Sequence, residues 1–225
     1  MTPPDAAGHT RPTGRFNVAT IPDPSPLDAG GARERILEAA VEVLAQRGYS
    51  AAGVQEIVSR SGTSKGSFYF HFPSKEGMVI ALVDQMSGRL VAKVQESAGD
   101  EPSPLRRIAA GIDVLLDTFS RQRRVAQVVL LNVMGHGMAV DRKFLPIRDR
   151  FSVLIREELD AAVAAGEIEP QDTVLVARMW VGALQEIILH WLLTGEPEPL
   201  VRVAPDFRRA LLRSVGARAA AEVTR

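Results

Sequence analysis

From Gly31 onward, apolar residues recur every three or four positions, and prolines fall mostly in the gaps between these periodic segments. Over 33–48, Ile36, Ala40, Val43 and Leu44 share one face, and Gly48 stands where a left-handed residue would stop the helix. Val54, Ile57 and Val58 form the stripe of a second helix over 54–61, followed by a short turn at Ser61, Gly62 and Thr63. A third helix begins near Ser64, with Phe68 and Phe72 four apart and directed inward. Longer periodic segments follow over 74–96, 103–120, 125–138, 140–166 and 172–193, with a last one over 206–220. Pro146 either sits in the first turn of its helix or kinks the interior. No convincing segment alternates apolar and polar residues as a strand would. The pattern predicts an all-α chain of about nine helices.

Residues 1–32 depart from this pattern. They hold six of the fourteen prolines, and their apolar residues show no period. A disordered tail is expected, with Arg11 and Arg15 leaving open a basic arm that reaches a minor groove.

Composition narrows the picture. Hydrophobic residues make up 46% of the 225 and aromatics only 5%, so the core is expected to be mostly aliphatic. The absence of cysteine removes disulfides, thiolate chemistry and cysteine zinc sites, and suits a cytoplasmic location. Charged or amide residues interrupt the apolar stretches before about 18 residues, so no membrane span or signal peptide is expected. Net charge is zero, and the six cations of 33–76 meet five acids there. Any nucleic-acid contact must therefore come from where cations and helix ends point.

The third helix, SKGSFYFHF, carries the most chemistry. With Phe68 and Phe72 inward, Ser67, Phe70 and His71 turn outward and Tyr69 lies at the boundary. Ser64, Lys65 and Gly66 occupy the N-terminus, where free N–H groups and the helix dipole attract phosphate. Two short helices joined by a tight glycine-containing turn form the helix-turn-helix signature, whose second helix suits a major groove. Tyr69 stays open between a groove-facing and a half-buried core residue, and His71 between a contact and a helix-end cap. GTSKGS lacks the spacing and the preceding strand of a phosphate loop.

RERILEAAVEVLAQRGY followed by VQEIVSRSGTSKGSFYFHFPSKE resembles the head of the TetR family over about one fifth of the chain. The resemblance implies DNA contacts from the third helix and the start of the fourth. Ser64, Lys65 and Ser67 match the base-reading or groove-facing positions, Tyr69 and His71 the phosphate-contacting pair, and Lys75 a phosphate-binding lysine. Val54, Thr63, Gly66 and Phe70 complete the expected set of DNA-binding residues. Three positions depart from the family pattern: Gly53 where Thr or Ser usually caps, Phe70 where Tyr is frequent, and Gly77 where Ala is usual. The implied organisation is a helix-turn-helix domain over 33–78 and a larger ligand-binding and dimerisation domain over 79–225. The implied partners are double-stranded operator DNA, a second copy of the chain, and a small apolar effector.

In that larger part, Ile108, Ile112, Leu115, Leu116 and Phe119 mark the inner side of the fifth helix. The segment 125–138 is apolar around most of its circumference and is expected to be buried; Gln127 and Asn132 then need backbone or ligand partners. His136 reads as a cap or loop residue, or a ligand contact. The segment 172–193 is the most apolar and needs burial on two sides, one of them against a partner subunit. Ala177, Val181, Leu184, Ile188 and Leu192 are the expected dimer interface, completed by the last helix. Glu186 and His190, four apart, form either a functional pair or a solvated rim. Expected ligand-lining residues are Phe119, Gln127, Leu131, Met134, Met138, Phe144, Trp180 and Trp191. The stretch WVGALQEIILHWLLTGEP is similar to tails of family members that respond to fatty acyl compounds.

These features point to a ligand-responsive repressor released from its operator by a small apolar molecule. A helical binding protein that leaves DNA alone is the alternative kept open by the near-neutral head. An all-α enzyme has little to stand on: the four histidines form no metal-ligand spacing, no GxSxG occurs, and no cofactor or catalytic residue is expected.

Overall fold

The structure, a computed structural model, describes residues 31–130 and 138–217. Among them are nine α-helices: α1 Gly31–Ala51, α2 Val54–Ser61, α3 Lys65–His71, α4 Lys75–Ala98, α5 Pro104–Arg121, α6 Arg123–Leu130, α7 Met138–Ala164, α8 Thr173–Thr194 and α9 Ala204–Ser214. A 3-10 turn at Leu200–Val203 precedes α9. Of the expected tail over 1–32, residues 1–30 lie outside the described residues, and Gly31 and Ala32 belong to α1 instead; Leu131, Asn132, Met134 and His136 and the side chains of Met138 and Phe144 also lie outside.

Short polar residues set the helix starts. Ser64, Ser74, Ser103 and Asp172 each accept a backbone N–H three residues on, from Ser67, Gly77, Arg106 and Leu175. Gly62 ends α2 with φ 63° and ψ 28°, a left-handed conformation that β-carbon sterics disfavour, so the turn into α3 depends on it. Gly48 breaks α1 at φ 72° and ψ 170°, leaving one more turn before α2. Gly53 precedes α2 without any side-chain cap, as its lack of a hydroxyl requires. Pro146 lies inside α7, not in its first turn. The last helix stops at Ser214, short of the expected 220, and Gly216 follows with φ 72°.

Two apolar cores result. The first joins Ile36, Ala40, Val43 and Leu44 of α1 to Ile57, Val58, Phe68 and Phe72, and continues through Met78, Val79, Leu82 and Val83 of α4. Val128 of α6 and Ile147 of α7 close it, so the three-helix head is seated on the larger body. The second core gathers Leu116, Leu159, Trp180, Trp191, Leu200 and Leu212 with their neighbours. Leu90 of α4 belongs to this second core, so one helix runs through both.

α8 is long and apolar enough by composition to cross a bilayer, contrary to the expectation that no segment would be. Its inward residues Ala177, Trp180, Leu184, Ile188, Trp191 and Leu192 are buried in the second core, and it packs on α7 and α6. In this fold one side of it is core of the body and the other is exposed.

Candidate DNA-binding surface and effector cavity

The head presents α3 outward. Phe68 is fully buried and Phe72 nearly so, which leaves Tyr69 and Phe70 at 53% and 71% exposure. Tyr69 is thus a surface residue, not the boundary residue that spacing suggested. Ser64, Lys65 and Gly66 are exposed, and Thr63, Ser67, His71 and Val54 are half-buried beside them. The Phe70 and His71 rings meet edge to face, 5.1 Å between centroids.

Charge pairing explains how a head neutral by count can still offer a cationic face. Arg47 pairs with Glu56 and Arg60 with Glu42, each at 3.1 Å, tying α1 to α2. Glu34 is held by Arg89. No acid lies between Ser64 and Phe72, and Lys65 meets no acid among the described residues. Three of the five acids of 33–76 are thus engaged by arginines.

Lys75 differs from the expected free phosphate-binding lysine. Its Nζ donates to the carbonyls of Tyr49 and Ala52, at 2.8 and 3.0 Å, and lies 4.4 Å from the Tyr49 ring centroid. One of its three protons at most is left for DNA. Lys75→Met is expected to destabilise the head by about 2 kcal/mol, the scale of hydrogen bonds to a charged group. Urea unfolding followed by the head's tyrosine signals checks this; unchanged stability would return Lys75 to a purely surface role.

The second site is a partly open cavity of about 620 Å³ between α4, α5, α6, α7 and α8. Its walls are apolar, including Leu90, Ile112, Leu115, Phe119, Phe151 and Ile188. Arg89, Lys93, Arg107 and Arg148 stand among its lining. Arg107 is committed to Glu158, through Nε at 2.8 Å and Nη2 at 2.7 Å, and these bonds hold its guanidinium protonated even above its ordinary range. Lys93 donates to Thr118 Oγ1 at 2.9 Å and Arg148 to Gln185 Oε1 at 3.0 Å, both neutral partners. α4 and α5 approach closely beside the cavity: a β-carbon at Gly111 would lie 2.8 Å from Val94 Cγ1.

Of the residues expected to line a ligand site, Phe119 does so. Gln127, Trp180 and Trp191 do not. Trp180 donates from Nε1 to Ser214 Oγ at 3.2 Å, and Trp191 to Glu198 Oε2 at 3.4 Å, so both indoles are consumed in packing the C-terminal segment. Arg123 lies over the Trp191 ring, 4.5 Å from its centroid, and donates to the Leu192 carbonyl. Sequence reading missed Arg89, Lys93 and Arg148; only their repetition on the cavity-facing sides of α4 and α7 could have marked them.

The expected dimer interface also needs correction. Ala177, Leu184, Ile188 and Leu192 are buried inside the protomer, and Val181, Leu184 and Ile188 line the cavity. The outward face of α8 carries Leu175, Met179, Gly182 and Leu193, with Met179 58% and Leu193 69% exposed. Glu186 and His190 are exposed along the same side.

Residues 36–82 match the family described as bacterial regulatory proteins, tetR family. The fatty acid metabolism regulator protein of Bacillus subtilis (strain 168) is 23% identical, over 80% of this chain and 94% of its own length. FadR from Bacillus halodurans superposes with a TM-score of 0.77 at 23% identity, over 81% of this chain and 95% of its own. FadR from Bacillus subtilis, solved in complex with stearoyl-CoA, gives 0.76 at 23%, over 79% and 96%. A helix-turn-helix head continuous through α4 with a cavity-bearing helical body is the plan of a ligand-responsive, DNA-binding transcriptional regulator. Residues 36–82 are a TetR-family head, and the relatives that match most of the chain are regulators of the same plan.

Proposed function

We propose that this regulator is a cytoplasmic repressor that holds its operator as a homodimer and is released by a long-chain acyl compound lodged in the α4–α8 cavity. The observation that carries the acyl reading is the cavity itself: apolar walls, with cations at Arg89, Lys93 and Arg148 whose partners are not all charged. An apolar chain on an anionic head matches both halves. The relative solved with stearoyl-CoA supports the same class of ligand.

At the other end, α3 enters the major groove. Ser64, Lys65 and Gly66 meet DNA at the helix N-terminus, and Ser67 and Phe70 face base edges, Phe70 offering apolar contact to a thymine methyl. Tyr69 and His71 lie against phosphates, with Val54 and Thr63 flanking them. The DNA-binding domain covers 33–78, with α4 passing from it into the effector and dimerisation domain.

Lys65→Ala is expected to weaken operator and random DNA alike and to reduce the salt slope of binding by about 0.9 per head. Ser67 substitutions are expected to change which sequence is preferred. Fluorescence-anisotropy titrations of a labelled upstream fragment across salt concentrations, with and without a long-chain acyl thioester, test the reading. Equal affinity for the upstream fragment and random DNA would overturn operator recognition, and an acyl thioester that never binds would overturn the effector.

A further inference from the structure

Arg89 occupies two sites at once. It lines the cavity, and its Nη2 donates to Glu34 Oε1 of α1 at 2.7 Å. Glu34 also accepts from Gln85 Nε2, at 3.0 and 3.3 Å to its two oxygens, and Gln85 Oε1 accepts from Arg33 Nη1 at 3.1 Å. The Arg33 guanidinium lies 5.6 Å from the centroid of Phe72, the residue that closes α3. A continuous polar chain therefore runs from the cavity lining to the end of the DNA-facing helix. The other cavity cations answer to the body alone: Arg107 to Glu158, Lys93 to Thr118, Arg148 to Gln185. Among the described residues, Arg89 is the one cavity-lining cation that is bonded to the head. The carboxyl it holds is kept below its ordinary pKa, first by that hydrogen bond and then by Gln85, so Glu34 stays charged and demands a donor at neutral pH. A lowered carboxyl pKa contributes its stability above the ordinary value and loses it as pH falls through the lowered one.

We infer that the effector's anionic head group takes Arg89 from Glu34, so that α1 loses its charged tie to α4, with Gln85 left bridging Glu34 and Arg33, when the cavity fills. This rests on the acyl reading above and adds a requirement to it: the effector must be an amphipathic anion, not merely an apolar molecule. The pair is exposed, with Arg89 at 69% and Glu34 at 37% for their side chains, so the exchange is inexpensive and an incoming carboxylate or phosphate can win it. A ligand that binds more tightly once Glu34 has let go favours that state by its differential affinity, which is what shifting the head requires.

Linkage fixes the test. Glu34→Gln removes the competitor, so an anionic effector should bind the effector-free protein about fivefold more tightly, the scale of an exposed pair. The effector's influence on operator affinity should shrink by the same factor, because coupling is reciprocal. Arg89→Gln should weaken effector binding and remove most of the response. Three probes are titrated into full-length protein with and without operator: an eighteen-carbon acyl-CoA thioester, the chain of the stearoyl-CoA bound by the solved relative, and the free acid and the alcohol of that chain. The two anions should release operator and respond to Glu34→Gln, whichever of them binds better identifying the anion's source; the alcohol should bind without releasing it. If Glu34→Gln changes neither effector affinity nor the response while the unaltered protein binds and responds, or if the alcohol releases operator as well as the acid, the inference is overturned and the acyl reading stands. If the unaltered protein binds no probe, the acyl reading falls and takes the inference with it.

Discussion

Replacing Met179 by glutamate is expected to convert the dimer to monomers and to lower operator affinity by a factor of about 100 or more, as loss of an interface core residue does. Met179 is 58% exposed on a helix whose opposite face is buried, and it shares its side with Leu175, Gly182 and Leu193. In a protomer alone this strip, apolar apart from Glu186 and His190, faces water. Two-fold symmetry brings the same strip of a second copy against it, so each substitution acts twice. Losing burial of one such side chain costs about 1.5–3 kcal/mol, and a carboxylate facing its own copy adds desolvation and repulsion. Operator binding suffers because a single head carries few cations and no net charge to speak of; affinity depends on two heads held at a spacing of roughly 34–36 Å or a multiple. Sedimentation velocity at micromolar protein, paired with operator titration, reads both effects. A variant that still sediments as the unaltered protein does would place the interface elsewhere. Leu184→Glu is the contrasting case: it puts the charge inside the protomer and is expected to unfold the body.

That contrast shows where sequence ran out. The head was legible because its determinants are local. Ser64, Ser74 and Gly62 set helix ends through bonds to neighbours within three or four residues, and the spacing of Phe68 and Phe72 turns α3 without any help from distant parts. In α8 the same logic has nothing to choose between. Leu175, Met179 and Leu193 are as apolar as Leu184, Ile188 and Leu192, and only the packing of α7 and α6 decides which set is core. The tryptophans misled for a related reason. Large aromatics suit ligand pockets, but their indole N–H groups found partners at Ser214 and Glu198, in a C-terminal segment whose return to α8 no periodicity announces. Lys75 was placed correctly in sequence, yet its carbonyl partners lie 23 and 26 residues earlier, at the end of α1. The cavity is the least local feature of all. It is what five helices fail to fill, so no single segment encodes it, and half of its lining comes from α4 and α5, which read from sequence only as two more periodic helices.

Filling that space should separate the two activities of the protein. Ile112 is buried on α5 and lines the cavity beside Leu115. An indole at this position projects into open volume of about 620 Å³, so Ile112→Trp escapes the 1–3 kcal/mol that overpacking a full core costs. Thermal stability should therefore stay close to that of the unaltered protein. Acyl binding should fall by about tenfold or more, because the added ring occupies volume the chain needs and each displaced CH2 forfeits about 0.8 kcal/mol of burial. Operator affinity in the absence of effector should be unchanged, since α3 and the α8 face are untouched. The variant becomes a repressor that acyl thioesters no longer release. Parallel titrations of operator and acyl thioester, with a thermal melt to exclude unfolding, read all three quantities. Full acyl affinity in a folded Ile112→Trp protein would move the effector out of this cavity. Weakened operator binding without effector would mean instead that the void's shape is part of the DNA-binding state. Effector and tryptophan would then push α4 the same way, and filling the cavity by any means would be the signal that releases the head.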